Sequence, residues 1–164
     1  MKNLKYTSFL ITLVSILTLG FTACSSSDDN ESKDMTYPEI KTEGITANPI
    51  DCQVYKRGEV IPVCFLFTDD TELGAYNIEI HHNFDHHTHS TSAVECPMEA
   101  PKQVSKPWIF NQDYTIPAGQ RNFTSRVDIP IPNDIDTGDY HFMVRLTDRA
   151  GWQQLHAVAI KITE

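Results

Sequence analysis

Apolar residues beyond position 38 recur at every second place over short stretches, and none of those stretches keeps a helical period of 3.6. Successive side chains of a strand point to opposite faces, so this alternation describes half-buried strands. In 74–81, Tyr76, Ile78 and Ile80 share one face while Asn77, Glu79 and His81 share the other. In 140–147, Phe142, Val144 and Leu146 point inward; in 153–163, Val158, Ile160 and Ile162 do. Further strands are expected at 38–40, 50–55, 59–68, 108–114 and 124–131. The 59–68 segment is apolar on both faces and reads as a central or well-covered strand. Clusters of Gly, Pro, Asn and Asp separate these segments, and 68–71 and 148–151 read as turns.

The spacing Asp136-x-Gly138-x-Tyr140 at the start of a strand is that of a tyrosine corner. The ring packs on the sheet and the hydroxyl satisfies backbone upstream. With about seven strands, this predicts an all-β, immunoglobulin-like antiparallel β-sandwich. A long insertion, 82 to about 120, follows the 74–81 strand and carries the histidines.

The first residues read as a processing signal. Lys2 and Lys5 precede an uncharged apolar stretch, 9–19, which is short for a membrane span of roughly 20 residues. Phe21-Thr22-Ala23-Cys24 is similar to a bacterial lipobox, with Phe21 where Leu is usual. The expected organisation is a signal peptide at 1–23, lipidation at Cys24, a disordered acidic tether at 24–37 and a single immunoglobulin-like domain at 38–164. Ser25-Ser26-Ser27-Asp28-Asp29 resembles the export signal of surface-exposed Bacteroidota lipoproteins. An outer-membrane lipoprotein is expected, surface-exposed, with a periplasm-facing placement as the alternative. Loss of Lys2 and Lys5 takes the net charge from −9 to −11, which argues against nucleic acid as a partner.

Three cysteines follow Cys24. An oxidising envelope suits one disulfide. Cys64 lies inside a strand, so Cys52–Cys96 is the expected bridge, with Cys52–Cys64 as the alternative. No pair has zinc-knuckle spacing.

Five of the seven histidines fall in the nine residues His81 to His89. Imidazole is the commonest metal ligand and titrates near neutral pH. In an antiparallel sandwich the end of the 74–81 strand lies beside the start of the 140–147 strand. His81 and His141 are then cross-strand neighbours, with Cβ atoms roughly 5 Å apart. With Asp85, His86, His87 and His89 from the adjoining loop, they form the expected metal-ligand set. Zinc is the first candidate, with copper and nickel as alternatives. His156 lies early in the last strand, far from the cluster, and reads as structural. The competing explanation is a loop whose imidazoles bind backbone and only order the insertion.

Asp69, Asp70 and Glu72, and separately Asp134, Asp136 and Asp139, lack the pattern of an EF-hand and read as turn residues before calcium ligands. Trp108, Phe110, Tyr114 and Trp152 suit packing more than a sugar platform. Neither a nucleophile elbow nor a phosphate loop is present, and no enzyme is expected.

Several motifs together resemble one family: Asp69-Asp70-x-Glu72-Leu73-Gly74, then Ile80-His81-His82-Asn83-Phe84-Asp85-His86-His87-x-His89-Ser90, Pro107-Trp108, Gln112-Asp113-Tyr114, Gly138-Asp139-Tyr140-His141-Phe142-Met143, and Thr147-Asp148-x-x-Gly151-Trp152. The family is a set of Bacteroidota lipoproteins known as domain of unknown function 4625. The resemblance implies an immunoglobulin-like fold in a cell-envelope lipoprotein and brings no established activity. The expectation is a membrane-tethered protein that captures or delivers a metal, with an outer-membrane transporter or other envelope protein as its candidate partner. A non-metal module docking a protein or glycan is the alternative.

Overall fold

The computed structural model describes residues 33–89, 91–92 and 94–164. The expected signal peptide, Cys24 and the expected tether up to residue 32 lie outside the described residues. Among the described residues there is no helix. Ten strands follow one another: β1 (Glu39–Lys41), β2 (Gln53–Lys56), β3 (Val60–Val63), β4 (Leu66–Thr68), β5 (Leu73–His82), β6 (Phe110–Thr115), β7 (Asn122–Thr124), β8 (Val127–Pro130), β9 (Gly138–Asp148) and β10 (Gln153–Thr163).

One layer is a five-stranded sheet in the order β2-β10-β9-β5-β6. Its pairings are antiparallel except β2 with β10, which is parallel. The other strands form β1-β4-β7 and β3-β8, all antiparallel. The inward faces meet in one core. Ile78, Ile80, Phe142, Leu146 and Ile162 from the large sheet are fully buried, as are Ile61, Phe65 and Phe67 from the other side. This is an all-β sandwich, and the alternation read from 74–81, 140–147 and 153–163 sets its core face.

The 59–68 segment departs from expectation. It is two strands, β3 and β4, with Cys64 and Phe65 between them, and only one face is buried. Val60 is 46% exposed, whereas Ile61, Val63, Phe65 and Phe67 point into the core. The partner segment breaks at the matching place, between β7 and β8. There the Ser125 hydroxyl accepts from Phe65 N at 2.9 Å and Ser125 N donates to Phe65 O at 2.9 Å. A side chain thus replaces one rung of the ladder, so 124–131 is also two strands.

Tyr140 makes the contact that its spacing predicts. Its hydroxyl donates to Asp136 O at 2.6 Å and accepts from Trp108 N at 3.3 Å. The Asp136 carboxylate accepts from Ser105 N and Lys106 N at 2.8 and 2.7 Å. Trp108 is itself buried and Tyr114 stacks on Tyr76 with centroids 4.9 Å apart, so these rings serve packing.

The outer face of the large sheet is covered at one end by the loop after β5, with His87, Thr91, Cys96 and Met98 against it. Here β9 buries both faces: His141 and Met143 are enclosed although they point away from the core. Several contacts hold this loop down. Cys52 and Cys96 are joined by a disulfide. Asn83 N donates to Asp139 O, Glu99 N to the Asp139 carboxylate, and Lys102 N to Phe84 O. Ala157 N donates to Thr91 Oγ1 at 2.9 Å. Cys64 is a free thiol bridged by backbone to Asn48.

Candidate metal centre

β5 and β9 bring His81 and His141 into direct register, so both imidazoles project from the same outer face of adjacent strands. After β5 the chain turns at Asn83–Asp85 and passes back over that face. His86 adopts a positive φ of 61° there. This residue in the left-handed region reverses the loop and sends His87 and His89 back toward the strand pair.

Four rings converge. The centroid distances are 5.4 Å for His81–His87, 5.2 Å for His81–His89 and 5.5 Å for His81–His141. They are 5.0 Å for His87–His89, 5.1 Å for His87–His141 and 5.3 Å for His89–His141. Six nearly equal edges define a nearly regular tetrahedron. Its centre lies about 3.2 Å from each centroid, which equals a Zn–N bond of roughly 2.0–2.1 Å plus roughly 1.2 Å from ring nitrogen to ring centre. His81, His87 and His89 already bring one ring nitrogen each within 4.8 Å of one another.

The hydrogen bonds sort the nitrogens. His87 Nδ1 lies 2.5 Å from Asp85 Oδ1, leaving Nε2 for the centre. His141 Nε2 bonds to the His87 carbonyl at 3.0 Å, leaving Nδ1. That Nδ1 is buried and has no partner. Buried polar atoms are nearly always satisfied, so an orphan nitrogen on a ring packed among three other imidazoles fits an ion. A carboxylate or carbonyl behind a ligating imidazole fixes its tautomer and raises its basicity. Glu79 takes that position behind His81, with Oε1 3.0 Å from Nδ1 but outside hydrogen-bond alignment.

Burial pushes His141 down to about 4, against the pull of its bond to the His87 carbonyl. Burial likewise lowers His81, with Glu79 opposing. Both therefore enter neutral solution as free bases, the form a metal requires. Asp85 is held below the usual carboxylate range by its bond to His87. Exposure grades outward from His141, which is 3% exposed, through the half-buried His81 and His87 to the exposed His89. A cleft lined by His86, His87, Thr88, Val94, Met98 and His141 adjoins the cluster.

Two residues of the expected ligand set stand elsewhere. Asp85 sits behind His87 and supports it. His86 turns away, its Nε2 bonding to Glu99 O at 2.9 Å, as its reversed backbone requires. His82, on the opposite side of β5 from His81, lies against Phe84 with centroids 5.0 Å apart. His156 packs edge-on against Phe65 at 5.3 Å, away from the cluster. Glu79 was missed as a supporting group. Its place two residues before His81, on the same strand face, is the signal that points to it.

The chain belongs to the family described as a domain of unknown function, DUF4625, whose model matches residues 22–163. No curated protein matches it.

Proposed function

We propose that this DUF4625 protein is a lipid-anchored component of the cell envelope that binds a transition metal through His81, His87, His89 and His141. The observation that carries the reading is the tetrahedron of ring centroids, whose size matches four metal–imidazole bonds. Zinc takes such a site readily; Cu²⁺ and Ni²⁺ prefer square-planar or tetragonal surroundings. Four protein ligands leave no open coordination position, which favours holding or carrying the ion over catalysis. Access from the exposed His89 side suits capture and release, for instance toward an outer-membrane transporter. The lipobox-like Phe21-Thr22-Ala23-Cys24 supports anchoring at the membrane.

The test is elemental analysis of the untagged protein after exposure to zinc at neutral pH. About one equivalent is expected, with loss on replacing His81 and His141 together by Ala. Uptake unchanged in that folded variant would falsify the assignment.

A second reading rests on the loop's outer surface. Val94, Met98, Val104 and Ile109 are 54%, 53%, 46% and 69% exposed. Apolar side chains presented on one pinned loop favour docking of an envelope protein, with the histidines ordering the loop. Zinc-free protein that still pulls down an envelope partner distinguishes this reading from the first.

A further inference from the structure

At the opposite end of the large sheet, three aspartates meet. Asp34 precedes β1, Asp69 lies in the β4–β5 turn, and Asp148 ends β9. One carboxylate oxygen from each lies within 4.8 Å of the others. The β5 residues between this end and His81 span roughly 27 Å, so the two clusters are separate.

Each turn holds its aspartate by one oxygen and leaves the other. Asp69 Oδ1 accepts from Thr71 N at 2.9 Å and Glu72 N at 2.6 Å. Asp148 Oδ1 accepts from Gly151 N at 2.6 Å and Trp152 N at 2.8 Å. Both Oδ2 atoms are buried and have no hydrogen-bond donor. Asp148 is only 4% exposed. No Lys or Arg among the described residues pairs with any of the three; Arg149 pairs with Glu72 instead.

Two buried oxygens without donors, on carboxylates this close to a third, are unfavourable twice over, by lost hydration and by mutual repulsion. Burial, then the charges of Asp69 and Asp34, raises the Asp148 carboxyl above its ordinary range. A cation between the three removes both penalties. An all-oxygen donor set with no imidazole or thiolate selects a hard ion. Three carboxylates on separate loops suit the flexible coordination of Ca²⁺ better than the strict octahedron of Mg²⁺.

Asp34 gives the site its consequence. Its carbonyl accepts from Trp152 Nε1 at 3.0 Å, and Tyr37 lies against Trp152 with centroids 4.7 Å apart. Thr36 Oγ1 donates to Asp70 at 2.9 Å. The segment entering the domain is thus already laid along the two turns. We propose that Asp34, Asp69 and Asp148 form a second cation site, selective for calcium, that fastens this segment to the β4–β5 and β9–β10 turns. Such a clasp holds the entering segment to the two turns when calcium is present and frees it when calcium is withdrawn.

The test is equilibrium dialysis of the full chain, purified in detergent and stripped with chelator, against calcium up to about 10 mM, with and without magnesium. The expected result is one calcium per chain, with a dissociation constant on the order of 10⁻⁵ to 10⁻³ M. Asp148→Asn should weaken binding at least tenfold. Asp34→Asn, which changes only the entering segment and so spares the fold, should do the same and leave zinc uptake intact. Calcium should also protect the Met35–Tyr37 region from proteolysis. No bound calcium, displacement by equimolar magnesium, or binding unchanged in Asp34→Asn would each overturn the proposal. So would stabilisation by Asp148→Asn in a protein that takes up no calcium, which would mark a proton shared between the aspartates.

Discussion

His81 and His141, 60 positions apart in the chain, are direct cross-strand partners with ring centroids 5.5 Å apart. The ladder that pairs them is continuous through Ile80–Phe142 and Ile78–Val144, whose side chains are fully buried on the other face. Core packing therefore sets the spacing of these two imidazoles before any ion arrives. His87 and His89 come from a loop and complete the set.

That division predicts unequal effects of substitution. His141→Ala removes a ligand from the rigid base and should abolish stoichiometric zinc. His89→Ala removes the exposed ligand and should leave weaker binding, with faster release into a chelator. Stopped-flow transfer to a colorimetric chelator measures both; equal behaviour of the two variants would contradict the division.

Asp85→Asn should weaken zinc affinity by roughly 10- to 100-fold, because the carboxylate orients His87 and raises its basicity. Asp85 is exposed and makes no core contact. The variant should therefore keep the thermal stability of the zinc-free protein, and competition titration against a chelator gives the affinity.

The Cys52–Cys96 bridge closes a loop of 44 residues. The chain-entropy relation for that length gives about 4 kcal/mol of stabilisation, with measured bridges commonly between about 2 and 5. Replacing both cysteines by Ser should lower stability by that order in urea titration. It should also loosen the loop bearing His87 and His89, seen as faster hydrogen exchange across 83–106.

Tyr140→Phe leaves Asp136 O and Trp108 N without their hydroxyl partner. A loss of about 1 to 3 kcal/mol is expected, since buried groups left unsatisfied bear a desolvation penalty. Equilibrium unfolding measures it.

His156 gives a pH dependence. Burial lowers its folded-state value, with Asp51 opposing, so the unfolded chain binds the proton more readily. Stability from this group is present above the unfolded value near 6.5 and is lost as pH falls through the depressed folded value. His156→Leu should flatten the fall in urea midpoint below pH 6.5; an unchanged slope would show that other groups govern it.

The strands of the large sheet were legible because alternation is a local property. Tyr76, Ile78 and Ile80 declare their face whatever they pair with. The splits at Cys64–Phe65 and next to Ser125 were not legible, because a hydroxyl replacing a ladder rung depends on what lies opposite. The same limit divided the histidines. Their density marked 81–89, and strand order brought in His141. Only the folded loop decided that His86, held at positive φ on the Glu99 carbonyl, turns away while Asp85 supports His87 from behind. Asp34, Asp69 and Asp148 were invisible as a group for the same reason. Sequence by itself determined the all-β class, the core faces and the chemical type of the histidine cluster, since these follow from residue type and period. Tertiary structure alone decided which nitrogens and oxygens face each other, because that depends on distances between segments far apart in the chain.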